Sequence, residues 1–305
     1  MDVHTRTLDS SNSASIYRLD LVYILGLQQF SVTTAQHIMN KPTLAFFGAT
    51  GGCTIACLIP ALRDGYNCVA LARTPKKLTD MLTARGVPQA TITTHLTIIE
   101  GSTTDLNAVI RTLFPANLPP ASMILSGVGG VPDLSNPLSP KFIGKTICQD
   151  TVRNILSALR EMNTSNVKPV LVAISTTGIT KERDIPLAMV PFYKWVLKVP
   201  HADKEVMERL IFEEMAKPAQ QRVLGDFAMI RPSFLTTGQS QPSKVRALKG
   251  KGEGQNTAVG VACPFVGYTI CRDDVGEFMY GLVREMEGDM SGKEGYLGSV
   301  ISISH

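Results

Sequence analysis

No stretch of the 305-residue chain approaches the ~20 consecutive apolar residues of a membrane-spanning helix, so no membrane partner is expected. The six cysteines (Cys53, Cys57, Cys68, Cys148, Cys263 and Cys271) fall in no zinc-ligand or disulfide spacing. That argues against a metal site and for a reducing compartment, with a cytoplasmic location as the expectation. Cys53 and Cys57 stand one helical turn apart and are expected to pack rather than react. Lysines and arginines are scattered, the formal net charge is only +4, and no basic stripe with interleaved aromatics marks a nucleic-acid partner. There is no internal repeat. What is present is a length of 305 residues, enough for one large α/β domain or for one domain with a small appendage, and an apolar fraction of 44% that fits a packed core.

The chain is organised around residues 42–62, PTLAFFGATGGCTIACLIPAL. Thr43–Phe47 suits a strand buried on both faces. Gly48-Ala49-Thr50-Gly51-Gly52 follows, and then an apolar segment of helical length, expected to stop at Asp64-Gly65. Strand, glycine turn and helix in that order form the context of a dinucleotide-binding loop. Glycines allow close approach to phosphate, and the helix offers unpaired N–H groups and its positive dipole end. Gly48, Thr50, Gly51, Gly52 and Cys53 are the expected pyrophosphate contacts.

Further strands are expected at Asn67–Ala72, Leu96–Glu100, 123–125, Val170–Ile174, 227–230 and 295–303. Helices are expected over 149–162, 203–214 and 273–286, and Asp105 caps the helix after the third strand. Alternating apolar strands and helices predict a doubly wound parallel sheet, with ligands at the strands' carboxyl ends. The second strand ends on Arg73-Thr74-Pro75-Lys76-Lys77 and lacks the acid that accepts from a ribose 2′-hydroxyl in NAD sites. Arg73 and Lys77 are expected at a 2′-phosphate, so NADP(H) is the expected cofactor. The fourth strand ends at Gly127-Val128-Gly129-Gly130, where Gly127 and Val128 should approach the cofactor, and the fifth ends at Ser175-Thr176-Thr177. Residues 244–254 read as a mobile loop over the site. Residues 1–41 form an extension, unpatterned over 1–15 with a short amphipathic helix over 16–30. Residues 42–305 form a single domain, its substrate-binding elements within about 178–202 and 236–271.

The glycine loop, Arg73, Asp203-Lys204 with Glu208, Ile230-Arg231-Pro232 and Arg272-Asp273-Asp274-Val275 occur in that order. Together they resemble the NmrA-like, NAD(P)H-binding group of atypical short-chain dehydrogenase/reductases. That resemblance implies a Rossmann-like fold with a small C-terminal substrate-binding region. The Gly-Gly-Cys loop, Ala72-Arg73-Thr74-Pro75 and Pro200-His201-Ala202-Asp203-Lys204 look most like fungal averufin-oxidase-type enzymes. This implies an oxidoreductase tailoring an aromatic polyketide of anthraquinone or xanthone type, as a monomer or homodimer. The alternatives are a redox-neutral isomerase, lyase or cyclase on the same substrates and a non-enzymatic nucleotide sensor.

Two positions depart from the group's pattern. Thr54 stands where its loop has a third glycine, which predicts altered helix–strand packing. If Lys204 matches the lysine of the Tyr-x-x-x-Lys pair, the tyrosine position holds Pro200. Lys204 then keeps the role of holding the nicotinamide ribose, and the proton donor is sought among Tyr193, His201 and Ser175 or Thr176. Asp203 is expected to cap its own helix, Glu208 to pair with Lys204, Arg231 to anchor its strand, and Asp273-Asp274 to start the last helix.

Overall fold

A computed structural model describes residues 41–133, 141–162, 168–180, 183–250, 266–288 and 295–305. The expected start over 1–15 and helix over 16–30 lie outside the described residues, as do 251–254 of the expected loop. The chain divides into two units, Met1–Lys41 and Pro42–His305, and every described strand and helix belongs to the second.

β1 (Thr43–Phe47) is buried along its whole length, and its side chains alternate between two cores. Leu44 and Phe46 join the apolar cluster on one face, whereas Ala45 and Phe47 join the cluster on the other. This explains its unbroken apolar sequence: with both faces covered, no position is left for a polar residue. β2 (Asn67–Ala72), β4 (Met123–Ser126), β7 (Val170–Ile174) and β8 (Asp226–Pro232) are buried in the same way, with Ser126 and Arg231 as buried polar residues near the carboxyl ends of β4 and β8. With β3 (Leu96–Glu100), β10 (Arg246–Lys249) and β12 (Ser299–Ser304) they form an eight-stranded sheet in the order β10-β12-β8-β7-β4-β1-β2-β3. All neighbours run parallel except the edge strand β10, which is antiparallel to β12. The chain leaves β1 towards β2 and β3 and then returns to the other side of β1 for β4. That reversal opens a crevice at the carboxyl ends of β1 and β4. Two small pairs complete the strands: β5 (Val131–Asp133) with β6 (Lys141–Ile143), and β9 (Phe234–Thr236) with β11 (Thr269–Cys271).

The helices are α1 (Gly52–Arg63), α2 (Pro75–Ala84), α3 (Gln89–His95), α4 (Leu106–Leu113), α5 (Ile147–Glu161), α6 (Val190–Trp195), α7 (Lys198–Met215) and α8 (Arg272–Met286). α1 stops where expected, with Gly65 at φ +77°. Asp105 caps α4, accepting from the N–H groups of Asn107 and Ala108. α1 and α8 pack closely on one face of the sheet, because a Cβ at Gly276 would lie 2.3 Å from the Ala56 Cβ and 2.5 Å from the Cys53 carbonyl oxygen.

Three expectations are corrected. The helix expected to begin at 203 begins at Lys198 and runs through Pro200. Proline is tolerated there because a helix's first turn has no intrahelical acceptor for the missing N–H. Part of the expected loop over 244–254 is strand β10, whose backbone pairs with β12 from Arg246 to Lys249. Glu208 pairs not with Lys204 but with Arg231, Nε to Oε1 at 2.9 Å and Nη2 to Oε2 at 2.5 Å, both side chains fully buried. A buried guanidinium needs a two-pronged acceptor, whereas the Lys204 ammonium finds backbone carbonyls instead.

Candidate functional site

The crevice floor is made of two turns in near contact. Gly48, at φ +75°, lies so close to the turn after β4 that a Cβ would stand 3.1 Å from the Gly127 carbonyl and the Val128 nitrogen. The Gly51 N–H closes the loop on the Gly48 carbonyl at 2.8 Å, and no side chain caps the N-terminus of α1. The first N–H groups of that helix are left for an anion, and the cradle admits no side chains at its glycines. These residues fit a dinucleotide pyrophosphate. Thr54, where a third glycine was expected, is fully buried, and its Oγ1 has no hydrogen-bond partner among the described residues. It fits because Gly127 faces it: a Cβ there would stand 2.1 Å from that oxygen. Cys53 is buried in the first turn, and burial pushes its thiol up to about 12, which leaves its backbone N–H as the group it can offer. Cys57 is fully buried, as expected of a packing residue.

At the tip of β2, Arg73 and Lys77 are exposed, and neither side chain has a hydrogen bond or ion pair among the described residues. Lys76 is held by Asp80 one turn along α2, at 2.7 Å.

The carboxyl end of β7 carries the second half of the site. Lys204 donates to the Val128 carbonyl at 2.9 Å and the Ile174 carbonyl at 2.6 Å, tying the ends of β4 and β7 together. The Cys148 thiol lies within hydrogen-bonding reach of the same ammonium. Asp203 does not cap its own helix; its carboxylate accepts from the N–H groups of Cys148 and Gln149, at 2.9 and 3.0 Å, and so caps α5. The reason is register: with α7 beginning at 198, Asp203 lies inside the helix and faces the open end of its neighbour. Next to the lysine, Ser175 is buried and its Oγ lacks a partner among the described residues. Tyr193 and His201 meet with ring centroids 5.5 Å apart, both against Gly178, where a Cβ would lie 2.6 Å from Tyr193 and 3.0 Å from His201. Burial lowers the His201 pKa to about 4, so the imidazole is neutral near pH 7, and its Nε2 has no partner among the described residues. Burial raises the Tyr193 pKa, and a hydrogen bond between Tyr193 and Thr177 works against that rise. The site thus unites Lys204, Ser175, Tyr193 and His201 on the rim that also holds the glycine cradle.

Asp184 was not singled out from the sequence, and Arg272 entered only as part of a motif, with no role of its own. Asp184 is buried, accepts from the Gly178 N–H at 2.9 Å, and has its pKa raised by burial, fixing the turn between the two rings. Arg272, which opens α8, lays its stem across Gly52. Its place directly before Asp273-Asp274 disguised it as part of a helix start. Asp273 pairs with Arg85 at 2.8 Å, and Asp274 accepts from Ser240 and the Gln241 N–H. Beside Tyr193 an apolar surface remains in the open: Leu187, Phe192, Trp195 and Phe234 are exposed, with the Phe192 and Phe234 rings 5.8 Å apart. Among the described residues no helix is long and apolar enough to cross a membrane, and no group of three or more His, Cys, Asp or Glu could hold a metal.

No protein-family model matches this chain. The reductase pytE of Aspergillus terreus is 49% identical over 275 residues, covering 87% of this chain and 99% of pytE. The oxidase pynE of Aspergillus niger is 37% identical over 280 residues, covering 82% of this chain and 95% of pynE. Among solved structures, yeast methylglyoxal/isovaleraldehyde reductase complexed with NADPH superposes with a TM-score of 0.54 at 13% identity, over 86% of this chain and 78% of that one. That last likeness is one of fold.

Proposed function

Because the chain belongs to the family of fungal oxidoreductases that includes the reductase pytE and the oxidase pynE, we propose that it exchanges hydride between NADP(H) and an apolar aromatic substrate of polyketide type. The observation that carries this reading is the shared rim. A glycine cradle fitted to pyrophosphate and a cluster of unsatisfied proton-carrying groups stand at the carboxyl ends of adjacent strands. A nicotinamide cofactor supplies or accepts the hydride when bound.

The protein's own residues supply the rest. The α1 N-terminus and the glycine turns take the pyrophosphate, and Arg73 with Lys77 takes the 2′-phosphate. Lys204, anchored on two carbonyls, holds its charge at the joined ends of β4 and β7, where the nicotinamide ribose would lie. Tyr193 is the proton donor or acceptor for the substrate oxygen, since it replaces the hydroxyl that Pro200 cannot carry. Neutral His201 lies beside it to relay the proton, and the free Ser175 hydroxyl orients the reacting oxygen. The open aromatic surface of Phe192, Trp195 and Phe234 suits stacking of a flat polycyclic ring.

The test is turnover of a panel of anthraquinone, anthrone and xanthone precursors with NADPH. Tyr193→Phe is expected to lower kcat by ~100–10,000-fold, the range for a lost general acid, and His201→Gln by ~100-fold. Full activity in both variants would overturn the assignment of these groups. Product formation with no change in NADPH would move the reading to a redox-neutral isomerase or lyase.

A further inference from the structure

We propose that Arg272 is a clamp on the dinucleotide pyrophosphate, a role that rests on the cofactor reading above and adds to it a residue from the far end of the chain. The stem of Arg272 occupies the space that a side chain at position 52 would fill: a Cβ on Gly52 would stand 2.5 Å from the Arg272 Cδ, 3.3 Å from its Cβ and 3.4 Å from its Cγ. Gly52 is the first residue of α1, so the stem that carries the guanidinium runs past the uncapped N-terminus of that helix. There a positive charge meets like charge in the helix dipole unless an anion lies between them.

Arg272 is half-buried and has no hydrogen bond or ion pair among the described residues. Its acidic neighbours are already engaged: Asp273 by Arg85, and Asp274 by Ser240, Gln241 and His305. The charge is felt locally, since Arg272 is the main influence opposing the burial-driven rise of the Cys53 pKa. A second, independent feature points to a ligand in the same turn. The fully buried Thr54 Oγ1 has no partner among the described residues and lies 3.9 Å from where a Gly51 Cβ would be. A planar guanidinium takes two phosphate oxygens at once, which suits it to close over a pyrophosphate from above while backbone N–H groups hold it from below.

This assignment separates Arg272 from Arg73. Pyrophosphate is common to NADH and NADPH, whereas the 2′-phosphate belongs to NADPH alone. Binding of each dinucleotide is measured by calorimetric titration of wild type, Arg272→Gln, Arg272→Lys and Arg73→Asp over a range of salt concentrations. Arg272→Gln is expected to weaken NADH and NADPH by a similar factor of ~10–100, the loss of one or two charge-assisted hydrogen bonds. It should also flatten the dependence of affinity on salt, whereas Arg272→Lys keeps that dependence and weakens both cofactors by a smaller factor, because the charge stays and the two-pronged contact is lost. Arg73→Asp should weaken NADPH alone. Unchanged affinity for both cofactors in Arg272→Gln would overturn the clamp, and loss confined to NADPH would reassign Arg272 to the 2′-phosphate. If Arg272→Gln does not fold, a salt dependence in Arg272→Lys equal to wild type with weakened binding of both cofactors still supports the clamp, and unweakened binding with the same slope overturns the fork contact. Wild type that binds neither dinucleotide would overturn the cofactor reading itself, and the clamp with it.

Discussion

His201 is held neutral inside the protein, and the stability of the fold must register it. An imidazole titrates near 6.5 when free, and burial lowers this one to about 4. Between those values the unfolded chain binds the proton and the native protein does not. Stability from this group is therefore complete above pH 6.5 and falls as the pH drops towards 4. The contribution is on the order of 3 kcal/mol. Urea unfolding of wild type and His201→Gln across pH 4–7 checks it: wild type should lose stability more steeply on acidification. Parallel curves would show that the ring is protonated or solvated in the native state. The sequence placed His201 and Tyr193 among the donor candidates, but not their meeting. Their contact depends on Gly178 leaving room for both rings, and on a helix start at 198 that Pro200 concealed. The same concealment misdirected Asp203, and helical spacing directed Glu208 to Lys204. Their partners, the α5 N-terminus and Arg231, lie 54 and 23 residues away and leave no local trace in sequence.

At the scale of elements, the exchange of a glycine for Thr54 on α1 is matched by a glycine at the end of β4. Gly127→Ala would drive a methyl group to 2.1 Å from the Thr54 Oγ1, and Ile174 Cδ1 blocks the other side at 3.2 Å. Overpacking of this kind costs ~1–3 kcal/mol. Thr54→Ala removes the clashing atom and leaves the Thr54 Cβ at 3.5 Å, an ordinary contact. Thermal unfolding of both single variants and the double variant should therefore show Thr54→Ala recovering much of the loss, a coupling that simple additivity would contradict. β1, β2 and β7 were legible because burial on both faces leaves an apolar run, and the half-exposed edge strand β3 was legible from its Leu-Thr-Ile-Ile run closed by Gly101; all four stand where the sequence put them. α3, the short pairs β5/β6 and β9/β11, and the edge strand β10 were not. Gln89–His95 is rich in threonine with little apolar period, and Arg246–Lys249 alternates like a surface segment. What makes β10 a strand is the open edge of β12 beside it.

At the scale of the whole molecule, the account joins one end of a parallel sheet to one chemistry. The topological switch between β1 and β4 opens the crevice, the glycine turns line it, and β7 delivers Ser175 and the Lys204 anchor to its far side. The exposed rings of Phe192, Trp195 and Phe234 by Tyr193 are the surface on which the proposed aromatic substrate would stack. Family membership supplies the reaction class that no single residue declares, since Pro200 removes the tyrosine by which the chemistry is ordinarily read. The central claim is that hydride passes between cofactor and substrate at this rim. It is tested most directly with NADPH carrying deuterium at both C4 positions, incubated with the aromatic panel and followed by mass spectrometry of the products. The account predicts one deuterium in each product molecule for each NADPH oxidised, and loss of that transfer in Tyr193→Phe. Product without deuterium, or oxidation of NADPH that leaves every aromatic unlabelled, would contradict it.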